Sequence, residues 1–221
     1  MRVLVLSASP RVDGNSRLLA DALLDGARGA GHEGELVDLN GTMDGGFLRD
    51  CRRCRRPDGR CAIEDGYAAL LRGPVARADA IVYATPIYWY GTAAVLKNFF
   101  DRMVCHTSGS APDGERVIAE LRDKRSALLL ASEEQYPGIA LGIVAQLQEL
   151  SRYLHHQFVG VVHGVGNRRG EVAADPADPL AAARALGARI FEAHHTDYRV
   201  DTPRPSSVWS VDGSLGAYAD G

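Results

Sequence analysis

The chain has 221 residues, 46% hydrophobic and 24% charged, enough to bury one sizeable core without requiring two domains. Twenty-five Lys and Arg against 28 Asp and Glu give a formal charge of -3, which offers no electrostatic attraction for a nucleic acid or an anionic membrane surface. The apolar runs are too short for a transmembrane helix, and Met1-Arg2-Val3-Leu4-Val5-Leu6 passes straight into a loop without the cleavage pattern of a signal peptide. The expected location is cytoplasmic, where cysteines serve as free thiols, metal ligands or redox groups more readily than as disulfides.

In chain order, the first apolar run, Val3 to Leu6, has the unbroken Val and Leu character of a strand buried on both faces of a parallel sheet. A polar loop, Ser7 to Ser16, follows, and from Arg17 onward Leu18, Leu19, Ala22, Leu23 and Ala27 share one helical face. Leu36 to Leu39 reads as the second strand. Residues 41–66, rich in Gly, Arg and Cys, form a long connection of the sort that often carries function. Ala80 to Ala84 is the third strand; Thr85 to Gly91 is a loop, and Val95, Leu96, Phe99, Phe100 and Met103 mark a second helix. Ala127 to Ala131 is the fourth strand, followed by a helix over Ile139 to His156. Phe158 to Val162 is the fifth, followed by a helix over Leu180 to His195. Strands alternating with helices imply right-handed βαβ units and hence an α/β, doubly wound, five-stranded parallel sheet. Residues 1–200 are read as one domain and residues 201–221 as a tail, either disordered or packed through Trp209 and Tyr218 as an arm on a partner subunit.

Two loops concentrate the chemistry. Ser7-Ala8-Ser9-Pro10-Arg11 and Gly14-Asn15-Ser16 link a strand to a helix N-terminus, where unpaired amides, the helix dipole and Ser and Asn donors stabilise a phosphate. Capping by Asn15 or Ser16 and a simple turn at Gly14 are the alternative. The loop is neither a Walker A sequence nor GxGxxG. The second loop, Thr85-Pro86-Ile87-Tyr88-Trp89-Tyr90-Gly91, carries three successive aromatics that cannot all enter one core. In the strand order 2-1-3-4-5 the switch point lies between the first and third strands, where ligands bind beyond the strand ends. An aromatic surface patch or a dimer contact would also account for it.

At these two loops, and in Leu96-Lys97-Asn98-Phe99-Phe100-Asp101-Arg102 after the second, the sequence resembles the NAD(P)H-dependent FMN reductases and flavodoxin-like quinone or azo reductases, over about the first 165 residues. The resemblance implies a flavodoxin-like fold, with Ser9, Arg11, Asn15 and Ser16 on the FMN phosphate. It places Pro86, Ile87, Tyr88, Trp89, Tyr90 and Gly91 along the ribityl chain and ring, and has the loop beginning at Ser132 complete the pocket. It also implies a homodimer with the flavin near the interface. The expected activity is transfer of hydride from NADH or NADPH to FMN and of electrons onward to a small acceptor such as a quinone, azo compound or flavin, with no nucleic acid or membrane partner. The cofactor carries the redox chemistry, so no side chain is singled out as acid or base. An electron-transfer flavoprotein serving a protein partner and an FMN-free binding module are the alternatives.

Cys51-Arg52-Arg53-Cys54 with Cys61 resembles the cysteine segment of the iron–sulfur flavoprotein branch of that family. A further cysteine expected between the second and last is replaced here by Arg55, Arg56 and Pro57. A [4Fe–4S] cluster takes four thiolates. Three thiols leave open a metal-free segment, a redox pair, or a Cys₃His zinc site. The expected reading is no bound metal. His155, His156, His163, His194 and His195 have no spacing that joins them to the cysteines, and Arg168 or Arg169 could meet a dinucleotide phosphate or form a solvated turn.

Overall fold

The structure, a computed structural model, describes residues 1–193. Six strands, β1 (Arg2–Ser7), β2 (Glu33–Asp38), β3 (Ala80–Tyr88), β4 (Gly91–Thr92), β5 (Arg125–Ser132) and β6 (Gln157–Val165), make one sheet. Its path is β2-β1-β3-β5-β6, all parallel, with β4 paired antiparallel to the end of β3. The five expected strands thus stand in the expected order. The two-residue β4 is additional.

Alternation along each strand divides the core between the two faces. Val3, Val5, Ala80, Val82, Ala127 and Leu129 pack with Leu19, Leu23 and Ala27 of helix α1 (Asn15–Gly29) and with Ala183 and Leu186. Leu4, Leu6, Ile81, Tyr83, Leu128 and Leu130 pack on the other face with Leu96 and Phe99 of α2 (Ala94–Arg102), Val117 and Leu121 of α3 (Gly114–Leu121), and Ile143 and Leu147 of α4 (Leu141–Tyr153). Each fully buried Leu or Val contributes about 1.5–3 kcal/mol, so a continuous Val/Leu strand is stable only when both faces are covered.

Several expected boundaries moved. The second strand runs over Glu33–Asp38, because the Asp38 carboxylate accepts the Asn40 amide and turns the chain into a short helix, Leu39–Thr42. The charged residues Glu33 and Glu35 suit an edge strand, where they oppose pairing with another chain. The last described helix, α5 (Pro179–Ala188), starts with Asp178 accepting the Ala181 amide and Pro179 at the first helical position; it stops well short of His195. Besides short turns such as Leu39–Thr42 and Cys51–Cys54, the helical segments with no counterpart in the sequence reading include α3, and Tyr67–Leu70 continuing into a π-helical turn, Leu71–Val75, that contains Pro74. His194, His195 and the tail 201–221 lie outside the described residues.

Helices α1 and α5 meet at two glycines. A Cβ at Gly26 would stand 1.9 Å from the Arg184 carbonyl oxygen, and one at Gly187 would stand 1.9 Å from that of Leu23. Because the strands are parallel, the start of α1 and the chain after β6 lie at the same end of the sheet. There the loops after β1, β3, β5 and β6 converge at the carboxyl ends of the strands. No helix among the described residues is long and apolar enough to cross a membrane.

Candidate functional site

A cleft of about 660 Å³ opens where those loops meet, lined by Ser9, Arg11, Asn15, Ser16, Pro86, Ile87, Tyr88, Trp89, Tyr90 and Ser132 together with Gly14, Ala131, Glu133, Glu134, Ile139, Gly166 and Asn167. Every sequence-predicted site residue except Gly91 is in this lining. Gly91 is the hairpin partner of Tyr88.

At one end the β1 loop is closed on itself. The Ser9 hydroxyl accepts the Arg11 amide and donates to the Arg11 carbonyl, both at 3.1 Å, while Asn40 Nδ2 donates to the Ser9 carbonyl at 2.9 Å. Gly14 stands at the N-cap with no side-chain cap, and the Arg17 and Leu18 amides turn onto its carbonyl. The amides of Asn15 and Ser16 therefore have no acceptor among the described residues, at the positive end of a helix of 15 residues. Arg11 is exposed and pairs with no carboxylate among the described residues, since Asp13 is held by Arg169 at 3.1 Å. Ser16 is buried in the cleft lining, and its hydroxyl has no hydrogen-bond partner among the described residues.

Asn15 has a second task. Its Nδ2 donates to the Gly166 carbonyl at 2.7 Å and its Oδ1 accepts the Val172 amide at 3.3 Å. The side chain assigned to phosphate from sequence thus also ties α1 to the loop after β6. No local signal announces a bond across 151 residues.

The facing wall is a two-residue hairpin. Ile87 pairs with Thr92 and Tyr88 with Gly91, which leaves Trp89 (φ 48°) and Tyr90 (φ 63°) as the turn. Positive φ at both central positions is the geometry that Asn-Gly adopts comfortably; for bulky residues it is strained by about 1–3 kcal/mol each. Thr85 fixes the base of the hairpin, accepting the Ala93 amide at 3.0 Å and donating to the Pro86 carbonyl at 2.9 Å. Trp89 is 96% exposed. Tyr90 is also exposed, so the strain is not offset by burial of either ring in the core. Trp89→Asn with Tyr90→Gly is therefore expected to raise Tm by a few degrees in the absence of ligand, at about 2–4 °C per kcal/mol for a domain of this size, while slowing turnover of an aromatic acceptor. Thermal melts and steady-state rates on the same preparation check both.

Ser132 forms the third side, its hydroxyl 2.8 Å from the Glu134 carbonyl and 2.6 Å from His163 Nε2. Sequence reasoning weighed His163 only as a metal ligand. Its position follows from the register that pairs Leu130 with His163.

The cysteine segment lies apart from this cleft. The side chain of Cys51 is outside the described residues; Cys54 and Cys61 are half-buried and Cys105 is buried. Cys61 and Cys105 line a second cavity of about 670 Å³ with Arg72, Arg102 and His106. Burial and the flanking Arg72 and Arg102 depress His106 to about 4, so the ring is neutral and accepts from Arg72 at Nδ1. Where a fourth thiolate would be needed, Arg55 reaches the Gly59 carbonyl and the Ser108 hydroxyl, and Arg56 pairs with Glu64. Among the described residues no group of three or more Cys, His, Asp or Glu converges as metal ligands. The described residues do not fit a four-thiolate cluster. His155 and His156 are satisfied locally: His156 Nε2 meets the Leu121 carbonyl at 2.6 Å and His155 meets Arg122.

Compared with known proteins, residues 1–174 match the model of the NADPH-dependent FMN reductases. The chain belongs to that family. This FMN reductase family member is 28% identical over 208 residues to an iron–sulfur flavoprotein of Archaeoglobus fulgidus, covering 91% of this chain and 84% of that one. It is 26% identical over 188 residues to the Bacillus subtilis protein YwqN, covering 84% and 97%. Among solved structures, the Trp repressor binding protein of Bacillus subtilis superposes with a TM-score of 0.63 at 19% identity, covering 88% and 99% of the two chains. The NAD(P)H:quinone oxidoreductase of Methanothermobacter marburgensis does so at 0.59 and 20%, again over 88% and 99%. These superpositions bear out the flavodoxin-like fold. Membership makes the chain an oxidoreductase with FMN as its cofactor and NAD(P)H as electron donor.

Proposed function

We propose that the cleft holds FMN with its phosphate at Arg11, Ser9, Ser16 and the free amides of α1, its ribityl chain along Pro86 and Ile87, and its ring between the Tyr88-Trp89-Tyr90 hairpin and the Ser132 loop. The observation that carries this is the joining, in one cleft, of an uncapped helix N-terminus beside an unpaired Arg11 with a strained aromatic hairpin at the other end. FMN, when bound, supplies hydride acceptance and onward electron transfer. The protein contributes binding, orientation and shielding: charge-assisted bonds at Arg11, backbone donors from α1, and an apolar wall at Ile87 and Ile139 that excludes water.

The acceptor is a small, planar molecule. Trp89, Tyr90 and Tyr136 are exposed beside the cleft and give it an aromatic face to stack on. Quinones, azo compounds and flavones, named for the solved relatives in this fold, share that chemistry. The same exposed aromatics support a homodimer with the cleft near its interface. The cysteine segment is read as metal-free and held by its arginines.

Purified protein should show flavin absorbance, or acquire it on addition of FMN. Under anaerobic conditions NADPH or NADH should bleach it, and a quinone should restore it. A chain that never retains FMN would defeat the reading. One that retains FMN but is reduced only by a protein donor would be an electron carrier instead.

A further inference from the structure

We propose that His163 is a positioning residue for the flavin wall: it fixes the Ser132 hydroxyl, and through it the turn from Ser132 to Glu134, before any cofactor arrives. This rests on the FMN reading of the cleft.

The argument is one of proton counting. A serine hydroxyl has a single proton. Ser132 Oγ stands 2.8 Å from the Glu134 carbonyl oxygen, which can only accept, so the proton lies there. The contact of 2.6 Å to His163 Nε2 then requires the ring to donate. His163 is accordingly the Nε2–H tautomer, with Nδ1 bare. Burial opposes protonation of the ring more strongly than Asp175 favours it, and Asp175 is itself occupied by the Val165 and Ala177 amides.

The pair belongs to a larger frame. The Gly166 amide donates to the Ser132 carbonyl at 2.7 Å, and the Gly166 carbonyl accepts from Asn15 at 2.7 Å. Bonds therefore run from the start of α1, through the loop after β6, to the loop after β5, around one side of the cleft. His163 is the member of that frame whose ring is fixed by strand register and half-buried. Without it the Ser132 hydroxyl is free to rotate away from Glu134, and the turn loses its anchor. A wall ordered in advance binds its ligand more tightly because less freedom is lost on binding.

Two measurements test this. In the apoprotein, ¹⁵N–¹H correlations of the His163 ring should show the Nε2–H tautomer; an Nδ1–H ring would overturn the proposal whether or not the chain binds FMN. FMN titrations of the apoproteins should show His163→Ala and Ser132→Ala each about tenfold weaker than wild type, the effect of one lost hydrogen bond. The double variant should be no weaker than either single one, and His163→Gln, which keeps a donor at similar reach, should restore most of the affinity. Additive losses, wild-type affinity in His163→Ala, or a His163→Gln as weak as His163→Ala would each overturn it. Wild-type protein that shows the expected tautomer but no FMN binding would sink the flavin reading and leave the His163 geometry standing.

Discussion

Replacing Arg11 and Ser16 together with Ala is expected to weaken FMN binding by about a hundredfold while leaving the apoprotein as stable as before. Hydrogen bonds to a charged group contribute about 1.5–3 kcal/mol each, and a loss near the lower end from both positions already gives that factor. Stability should not follow, because neither side chain supports the fold. Among the described residues Arg11 is exposed without an ion-pair partner and nothing bonds the Ser16 hydroxyl. The measurement is a fluorescence titration of FMN into apoprotein beside a thermal melt. Unchanged affinity would mean that the phosphate lies elsewhere; a lower apoprotein Tm would mean that the loop is structural.

Arg102→Met should cost the fold about 3–5 kcal/mol, the penalty for leaving one partner of a buried ion pair unmatched. Arg102 is 1% exposed and its guanidinium meets both oxygens of the Asp65 carboxylate, at 2.5 and 2.8 Å, with its carbon 4.5 Å above the Tyr67 ring. Burial pushes the Asp65 carboxyl upward, but Arg102 and the Tyr67 and Gly45 amides outweigh it and hold the group below its ordinary 3.8. A carboxyl depressed in the folded state stabilises the protein above its unfolded value and ceases to do so as pH falls through the folded one. Wild type should therefore lose this contribution only below about pH 4. In Arg102→Met the same carboxyl is buried without a counter-charge and titrates higher, so the variant should recover stability relative to wild type on acidification. Urea midpoints across pH 3–7 read out the sign, and Arg102→Met with Asp65→Leu should regain most of the loss. A variant that becomes still weaker in acid would show that Asp65 finds another partner.

This pair also explains why the 41–66 connection is ordered. Asp65 accepts the Gly45 amide, Asn98 Nδ2 donates to the Gly46 carbonyl, and the Leu48 amide donates to Asn98 Oδ1, so the connection is tied to α2 by polar groups buried beneath it. From sequence, Asn98 and Arg102 belonged to a motif of resemblance after the aromatic loop. Their work on the long connection was invisible, because it depends on which helix the connection crosses.

The five parallel strands were legible because a strand covered on both faces reads as a plain apolar run. The helices at 67–75 and 114–121 were missed for a related reason. The first contains Gly73 and Pro74, which read as breakers, and the second is short, so its apolar Val117, Ile118 and Leu121 span little more than one turn.

The sequence by itself determined the βαβ order and singled out the two loops that line the cleft, Ser7 to Ser16 and Thr85 to Gly91, because each rests on residues close together in the chain: an apolar run, a Gly followed by polar donors, three adjacent aromatics. Only the tertiary structure decided that Asn15 braces the loop after β6, that Trp89 and Tyr90 form a strained turn, and that His163 stands behind Ser132. These follow from strand register and from helices meeting at Gly26 and Gly187, contacts between residues far apart in sequence whose partners are chosen by packing and not by their neighbours.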